Sequence, residues 1–149
     1  MLPSWQRARR ISSREWLDYA LAQAALWRAV LALKLRSRGR LLAYDSEDAD
    51  RDPAPDQLTR ARELELALDR AIRFGLLRPK CLARSVALHR LLRWGGIRGS
   101  RIRIGVRAPT EGGLSAHAWV TLANRVLGDD PRFVGRFTEI ADARMAGLS

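Results

Sequence analysis

The chain has 149 residues, of which 47% are hydrophobic, so it is long and apolar enough to bury the core of one domain. Its 27 basic and 16 acidic residues give a formal net charge of +11, a balance that suits an anionic partner without naming it. One cysteine and two histidines exclude an internal disulfide and a four-ligand zinc site. We therefore expect a single domain, residues 1–149, with no metal and no cofactor.

No stretch of the sequence reaches the roughly 18 uninterrupted apolar residues that are needed to cross a bilayer. No small-residue cleavage pattern of a secretory signal follows the apolar residues near the N-terminus. We expect a protein without a transmembrane segment that resides in the cytoplasm, where a lone thiol stays reduced.

The first predicted helix spans about residues 13–36. Ser12 and Glu15 have the spacing of a capping box, and a long run of helix-forming residues follows them. The apolar arc of this helix is wide, which favours burial in the core; docking to a membrane surface or to a partner is the alternative. The residues of its main apolar face are Trp16, Ala20, Gln23, Trp27, Val30 and Leu31.

An acidic connection, residues 45–56, follows the first helix and contains two prolines but no hydrophobic period. A second helix is predicted over about residues 57–74, and Gly75 ends it. Residues 1–75 therefore make a helical N-terminal part, and residues 76–149 make a second part of different character. The inner face of the second helix consists of Leu58, Ala61, Leu64, Leu68, Ala71 and Ile72.

The C-terminal part begins with a third helix over about Cys81–Trp94, which two glycines stop. The hydrophobic period then changes to two. Alternation over residues 101–108 and again over 115–122 predicts two strands, and Ala123-Asn124 predicts a hairpin turn into a third strand at residues 126–127. Helices followed by an antiparallel sheet make the expected fold class α+β.

Cys81 lies just inside the N-terminus of the third helix, where unpaired backbone N–H groups and the helix dipole stabilise a thiolate. This position suits a nucleophile, although a buried structural thiol is the more common role of a lone cysteine. A nucleophilic thiolate needs a histidine that donates a proton to the leaving group. His89 lies about 12 Å further along the same helix, too far from Cys81 to share a proton. His117 on the second strand is therefore the candidate for this role.

A third group has to orient the imidazole of His117, and Asp129 and Asp130 follow on the next strand. A regular two-residue turn places Asp130 opposite His117, whereas a bulge at Gly128 places Asp129 there. The spacing alone leaves both aspartates open.

The sequence around these residues resembles the leader peptidases of lasso-peptide biosynthesis, which belong to the transglutaminase-like cysteine protease superfamily. Over about residues 76–140, the resemblance is carried by the helix that begins at Cys81, by Ile104-Gly-Val106, by Ala116-His-Ala-Trp-Val120 and by Gly128-Asp-Asp130. The sequence departs from the family pattern in two places. Thr121 stands where family members often have an acidic residue, and Ala123-Asn124 stands where they often have an Asp-Gly turn.

The resemblance implies a transglutaminase/papain-like core, in which a catalytic cysteine at a helix N-terminus packs on an antiparallel sheet that carries histidine and aspartate. It assigns the nucleophile to Cys81, the general acid and base to His117 and the orienting acid to Asp129, with Asp130 as the runner-up. The implied reaction removes the leader from a ribosomally made precursor peptide before a separate lasso cyclase closes the core segment. Because residues 1–75 show no strand pattern, a leader-recognition protein of winged-helix type is expected as a separate partner.

Two other functions stay open. A Cys-His-Asp acyltransferase of the same superfamily uses the same three residues but transfers the acyl group to an acceptor other than water. A basic nucleic-acid-binding module accounts for the net charge, but it gives no reason for a cysteine at a helix start followed by histidine and aspartate, and we expect no nucleic-acid partner. The arginines that would serve such a module lie on or near the first strand: Arg98, Arg101, Arg103 and Arg107.

Overall fold

The computed structural model describes residues 11–35, 52–108 and 113–142. Within these ranges, three long helices come first: α1 (Ser13–Leu35), α2 (Pro55–Phe74) and α3 (Cys81–Trp94). Four strands and a short helix follow: β1 (Ser100–Arg107), β2 (Ser115–Leu122), β3 (Arg125–Leu127), α4 (Pro131–Val134) and β4 (Thr138–Asp142). The strands form one antiparallel sheet in the order β3-β2-β1-β4, which confirms the α+β class.

The start of each N-terminal helix follows from local chemistry. The backbone N–H of Ser12 donates to the Glu15 carboxylate at 2.8 Å, and the N–H of Glu15 donates to Ser12 Oγ at 3.2 Å, so the capping box is confirmed. The same backbone hydrogen bond lowers the pKa of Glu15. Helix α2 begins at Pro55, two residues before its predicted start, because the fixed φ of proline suits the first helical position. The acidic connection lies outside the described residues except for 52–56.

The predicted core position of Trp16, Trp27 and Leu31 is wrong, because these side chains are 58%, 54% and 56% exposed. Small residues face the other helices instead, and they allow a close approach that an indole would prevent. The buried apolar residues of α1 are Ala22, Ala25, Leu26 and Ala29. Of the remaining residues on the predicted face, Ala20 is exposed, and Gln23 and Val30 are half-buried.

A buried ion pair joins α1 to α2. Asp18 is only 4% exposed, and its two carboxylate oxygens accept hydrogen bonds from the two terminal nitrogens of Arg60, each at 2.6 Å. The hydrogen bond to Asp18 raises the pKa of Arg60, so the guanidinium stays charged. Because either partner alone would leave a poorly solvated charge, the pair fixes how the two helices lie against each other.

Helix α3 lies at the centre of the core, in contact with α1, α2 and both central strands. The residues of α3 that are at most 2% exposed are Val86, Ala87, Leu88, Leu91 and Leu92. They belong to one hydrophobic cluster with residues of the other helices and of the sheet, among them Leu26, Leu64, Leu68, Ile102, Val120 and Leu122. The predicted inner face of α2 is confirmed, with Leu58 and Ile72 partly buried at its edge.

The sheet places the second strand beside this helix. In the β1–β2 ladder Gly105 pairs with His117, and the turn into β3 has positive φ angles of 49° at Ala123 and 60° at Asn124. These angles define the two-residue turn that suits the right-handed twist of a hairpin, as predicted. Helix α4 and strand β4 were not predicted. Strand β4 pairs with β1 and covers its other edge.

Within the described residues, no helix combines the length and the apolar character that a bilayer span requires.

Candidate active site

Cys81 is the first residue of α3 and is half-buried. Lys80 precedes it in an extended conformation, with φ −71° and ψ 165°, and makes no side-chain cap. The first backbone N–H groups of α3 therefore receive no side-chain acceptor from Lys80, and they can stabilise negative charge beside the thiol.

A cavity of about 190 Å³ brings together the three residues that the sequence singled out. Cys81 comes from the start of α3, His117 from β2 and Asp129 from the segment after β3, and all three line the cavity wall. Other parts of the wall come from Arg84, Ser85, Leu88 and Trp119.

The imidazole of His117 is held by a carboxylate. Its Nε2 lies 2.5 Å from Oδ2 of Asp129, and the two side chains are 18% and 20% exposed. The other oxygen of Asp129 accepts the backbone N–H of Asp130 at 2.8 Å. Because Nε2 faces the carboxylate, Nδ1 is the ring nitrogen that Asp129 leaves unengaged.

The structure brings Asp129 to His117 and gives Asp130 a different partner. The β2–β3 pairing is regular, so the bulge expected at Gly128 is wrong. Strand β3 ends at Leu127, one residue before Gly128. Gly128 adopts a left-handed φ of 72°, which redirects the chain and lets Asp129 reach the ring. The side chain of Asp130 accepts the backbone N–H of Arg132 at 2.8 Å and caps α4.

Aromatic rings surround His117 on the sheet. Trp119 stacks at a centroid distance of 6.2 Å, and Phe133 and Phe137 approach to 5.2 Å and 5.3 Å. Gly105 makes room for this cluster, since a Cβ there would lie 2.8 Å from the Trp119 ring. The aromatic contacts restrict the plane of the imidazole.

An ion-paired arginine lies beside the cavity. Arg84 lines it and contacts Oδ1 of Asp69 at 2.5 Å. Arg84 also lines a larger groove of about 620 Å³, in which Arg70 and Arg73 stand beside the exposed ring of Phe74. Arg84 is therefore a lining residue of both the cavity and the groove.

A comparison with known protein families identifies the family of the chain. The sequence model described as the transglutaminase-like superfamily matches residues 25–142. The chain belongs to this superfamily. Most of its members are cysteine-dependent enzymes, including cysteine peptidases and acyltransferases. The match begins inside α1 and so includes the helical part as well as the sheet. No curated protein and no solved structure matches the chain.

The arginines that a nucleic-acid-binding module would use are in part engaged inside this superfamily fold. Arg103 donates to the Glu139 carboxylate at 2.6 Å, and the Arg107 guanidinium lies 5.4 Å from the centre of the Phe137 ring.

In the described part of the chain, no three His, Cys, Asp or Glu side chains lie where they could hold a metal ion.

Sequence reasoning missed Glu65, Phe133 and Phe137. Glu65 on α2 accepts a hydrogen bond from the backbone N–H of Gly128 at 2.9 Å, across 63 residues of sequence. No local pattern distinguishes this glutamate from the solvent-facing acids of the same helix. Phe133 had a weak signal, because an aspartate followed by Pro131 is typical of a helix start, and Phe137 had none.

His89 lies further along α3 and contacts β1 instead of the cavity. Its Nδ1 lies 2.8 Å from Oγ of the buried Ser100. Removal from water, assisted by the charges of Arg93 and Arg90, lowers the pKa of His89 to about 4. The folded state therefore favours the neutral ring.

We predict that acid weakens the fold through His89. The neutral ring contributes fully above the ordinary pKa of 6.5. That contribution is lost as the pH falls towards 4, because the unfolded chain takes up the proton first. The free energy of unfolding should decrease by about 3 kcal/mol from this group alone. Urea unfolding of the wild-type and His89→Gln proteins at pH 7 and pH 4 measures the effect, and an equal decrease in both proteins would contradict it.

Proposed function

We propose that this protein is a cysteine peptidase that removes the leader from a ribosomally synthesised lasso-peptide precursor before cyclisation. The observation that carries the proposal is the meeting of Cys81, at the start of a buried helix, with the His117–Asp129 pair in one cavity. The likeness of the cysteine helix and the His-Ala-Trp strand to the lasso leader peptidases supplies the substrate class.

The chemistry follows from the ring nitrogens of His117. Asp129 accepts a hydrogen bond from the Nε2–H group, which leaves Nδ1 unprotonated to take the proton of the Cys81 thiol. The thiolate attacks the carbonyl after the last leader residue, and the imidazolium protonates the leaving amine of the core peptide. A water molecule, deprotonated by His117, then hydrolyses the thioester and releases the leader acid with the free thiol.

The start of α3 also suits the developing oxyanion. We assign its stabilisation to the backbone N–H of Cys81, which belongs to the uncapped first turn of the helix. A fixed backbone donor at a helix N-terminus stabilises the negative charge of a tetrahedral intermediate without reorganisation.

The groove beside Arg84 gives a peptide substrate room on one side of Cys81. An extended peptide advances about 3.3 Å per residue, so the cavity alone holds only a short segment, and the groove of about 620 Å³ extends it. Leu66 and Phe74 are 54% and 72% exposed there. Because Arg84 and Arg70, which line the groove, already pair with Asp69 and Glu15, we propose that the groove takes a substrate segment with apolar side chains.

A partner is part of the proposal. The precursor would be delivered by a separate leader-recognition protein of winged-helix type, and the released core would pass to the lasso cyclase. The exposed stripe of α1, defined as Trp16, Trp27 and Leu31, offers this partner a contact surface, because large apolar side chains that share one exposed helix face favour protein association.

We predict that Cys81→Ala abolishes leader removal and leaves the fold intact, because a small half-buried thiol contributes little packing. Mass spectrometry of the precursor after incubation with the variant and the leader-recognition protein measures cleavage, and circular dichroism verifies the fold. Cleavage by this variant at the wild-type rate would refute the assignment. Supplying an amine acceptor to the wild-type protein separates hydrolysis from acyl transfer, since transfer yields a leader amide.

The two aspartates form a matched pair of variants. Asp129→Asn keeps the shape but removes the charge that stabilises the imidazolium, and we expect turnover to fall by about 10²- to 10⁴-fold. Asp130→Asn should leave turnover within about twofold, since asparagine also caps a helix. The turnover number at saturating precursor decides the question, and an equal loss in both variants would contradict the assignment of Asp129.

We predict that the protein alone processes the precursor slowly and that the leader-recognition protein raises the rate by concentrating the peptide at the site. Trp27→Ser should remove most of this acceleration while the rate without the partner stays unchanged. Ile140→Ser is the control, because this residue of β4 is exposed to a similar extent, 56% against 54%. Full acceleration of the Trp27→Ser protein would exclude the stripe as the contact surface.

A further inference from the structure

Glu65 connects the helical part of the protein to the segment that carries Asp129. It lies half-buried in the middle of α2, and Oε1 of its carboxylate accepts the backbone N–H of Gly128 at 2.9 Å. A hydrogen bond from a backbone amide to a charged carboxylate is stronger than one between neutral groups. The contact therefore anchors Gly128 from outside the sheet.

Gly128 is the point where the chain leaves the sheet. Its φ of 72° is left-handed, and a Cβ at this position would lie 2.9 Å from Cδ2 of Leu88 on α3. The paired strand ends at Leu127, so sheet hydrogen bonds do not set the direction of the chain beyond it. Instead, the hydrogen bond to Glu65 and the packing against α3 hold the backbone at Gly128.

The residue after Gly128 holds the catalytic imidazole. Asp129 Oδ2 lies 2.5 Å from Nε2 of His117. A carboxylate orients an imidazole well only when its own backbone is fixed within a few tenths of an ångström. The order of contacts is therefore Glu65, the Gly128 amide, the Asp129 carboxylate and the His117 ring.

We propose that Glu65 is a positioning residue of the active site, which acts by holding the Gly128 amide and thereby the direction of Asp129. This inference rests on the proposed cysteine chemistry of Cys81. Its requirement is an oxygen acceptor at the length of a glutamate side chain, and the charge of that acceptor is secondary. Glutamine satisfies the requirement, whereas aspartate keeps the charge but loses one methylene of reach.

The test measures the reactivity of Cys81, which is the only cysteine in the sequence. The rate of alkylation by iodoacetamide between pH 5 and 9 reports the thiolate fraction and needs no peptide substrate. We expect Glu65→Asp and Glu65→Leu to slow alkylation at about pH 6.5 by about tenfold and Glu65→Gln to retain the wild-type profile. Glu63→Leu is the control, because this exposed acid of the same helix pairs with Arg14 and Arg60.

A second readout observes the ring directly. The Nε2 proton of His117 should give a downfield resonance in the proton NMR spectrum because it is shared with Asp129. We expect this resonance to weaken in Glu65→Asp and to persist in Glu65→Gln. Should Glu65→Leu fail to fold, the comparison of the aspartate and glutamine variants decides the matter alone.

The outcomes separate the possible failures. Unchanged alkylation and an unchanged His117 resonance in Glu65→Asp, with or without a lower free energy of unfolding, would show a purely structural role and overturn the inference. Equal damage in Glu65→Gln and Glu65→Asp would do the same, since an oxygen acceptor at the length of a glutamate side chain would then not be sufficient. Alkylation that is the same in His117→Ala and the wild type would instead contradict the proposed function, while the His117 resonance would still test Glu65.

Discussion

The burial of α3 on two sides is the constraint on which the site depends. Leu88, Leu91 and Leu92 are at most 1% exposed, and each such side chain contributes about 1.5–3 kcal/mol when it leaves water. The helix is rigid, so contacts two or three turns away determine where its first residue lies. The packing of the helix therefore holds Cys81 in place, and its thiol forms no disulfide.

Much of the fold could be predicted from the sequence, because the signals were local. The bounds of α3 follow from the glycines after Trp94, and the turn at Ala123-Asn124 lies between two segments that alternate with period two. These elements carry Cys81 and His117, which line one cavity, whereas His89 contacts Ser100 on β1. A helix start and a strand face are properties of a few neighbouring residues, and a sequence displays them directly.

The choice between the two aspartates was beyond the sequence for a physical reason. A glycine permits a left-handed φ but does not require one, so Gly128 was compatible with a regular strand, a bulge or a strand end. The actual strand end depends on Leu88 of α3 and on Glu65 of α2, which lie far away in the chain. The resemblance selected Asp129, which is the residue that contacts His117, although the local geometry differs from the expected bulge.

The helical part shows the same limit. A wide apolar arc does not reveal which of its sides is covered. The small side-chain volume decides it, because Ala22, Ala25 and Ala29 allow close packing against the other helices.

Strand β4 was missed because its partner, β1, precedes it by some thirty residues and only the finished sheet makes the pairing favourable.

Three parts of the structure fix three different properties of the candidate site. The core contacts of α3 fix the thiol, the aromatic rings of Trp119, Phe133 and Phe137 fix the plane of the imidazole, and Asp129 fixes which ring nitrogen carries the proton. Since His117 and Asp129 keep about a fifth of their side-chain surface exposed, solvent reaches the pair, as the proposed hydrolysis requires. The orienting groups lie at the edge of the core, so changes there can reduce reactivity without unfolding the protein.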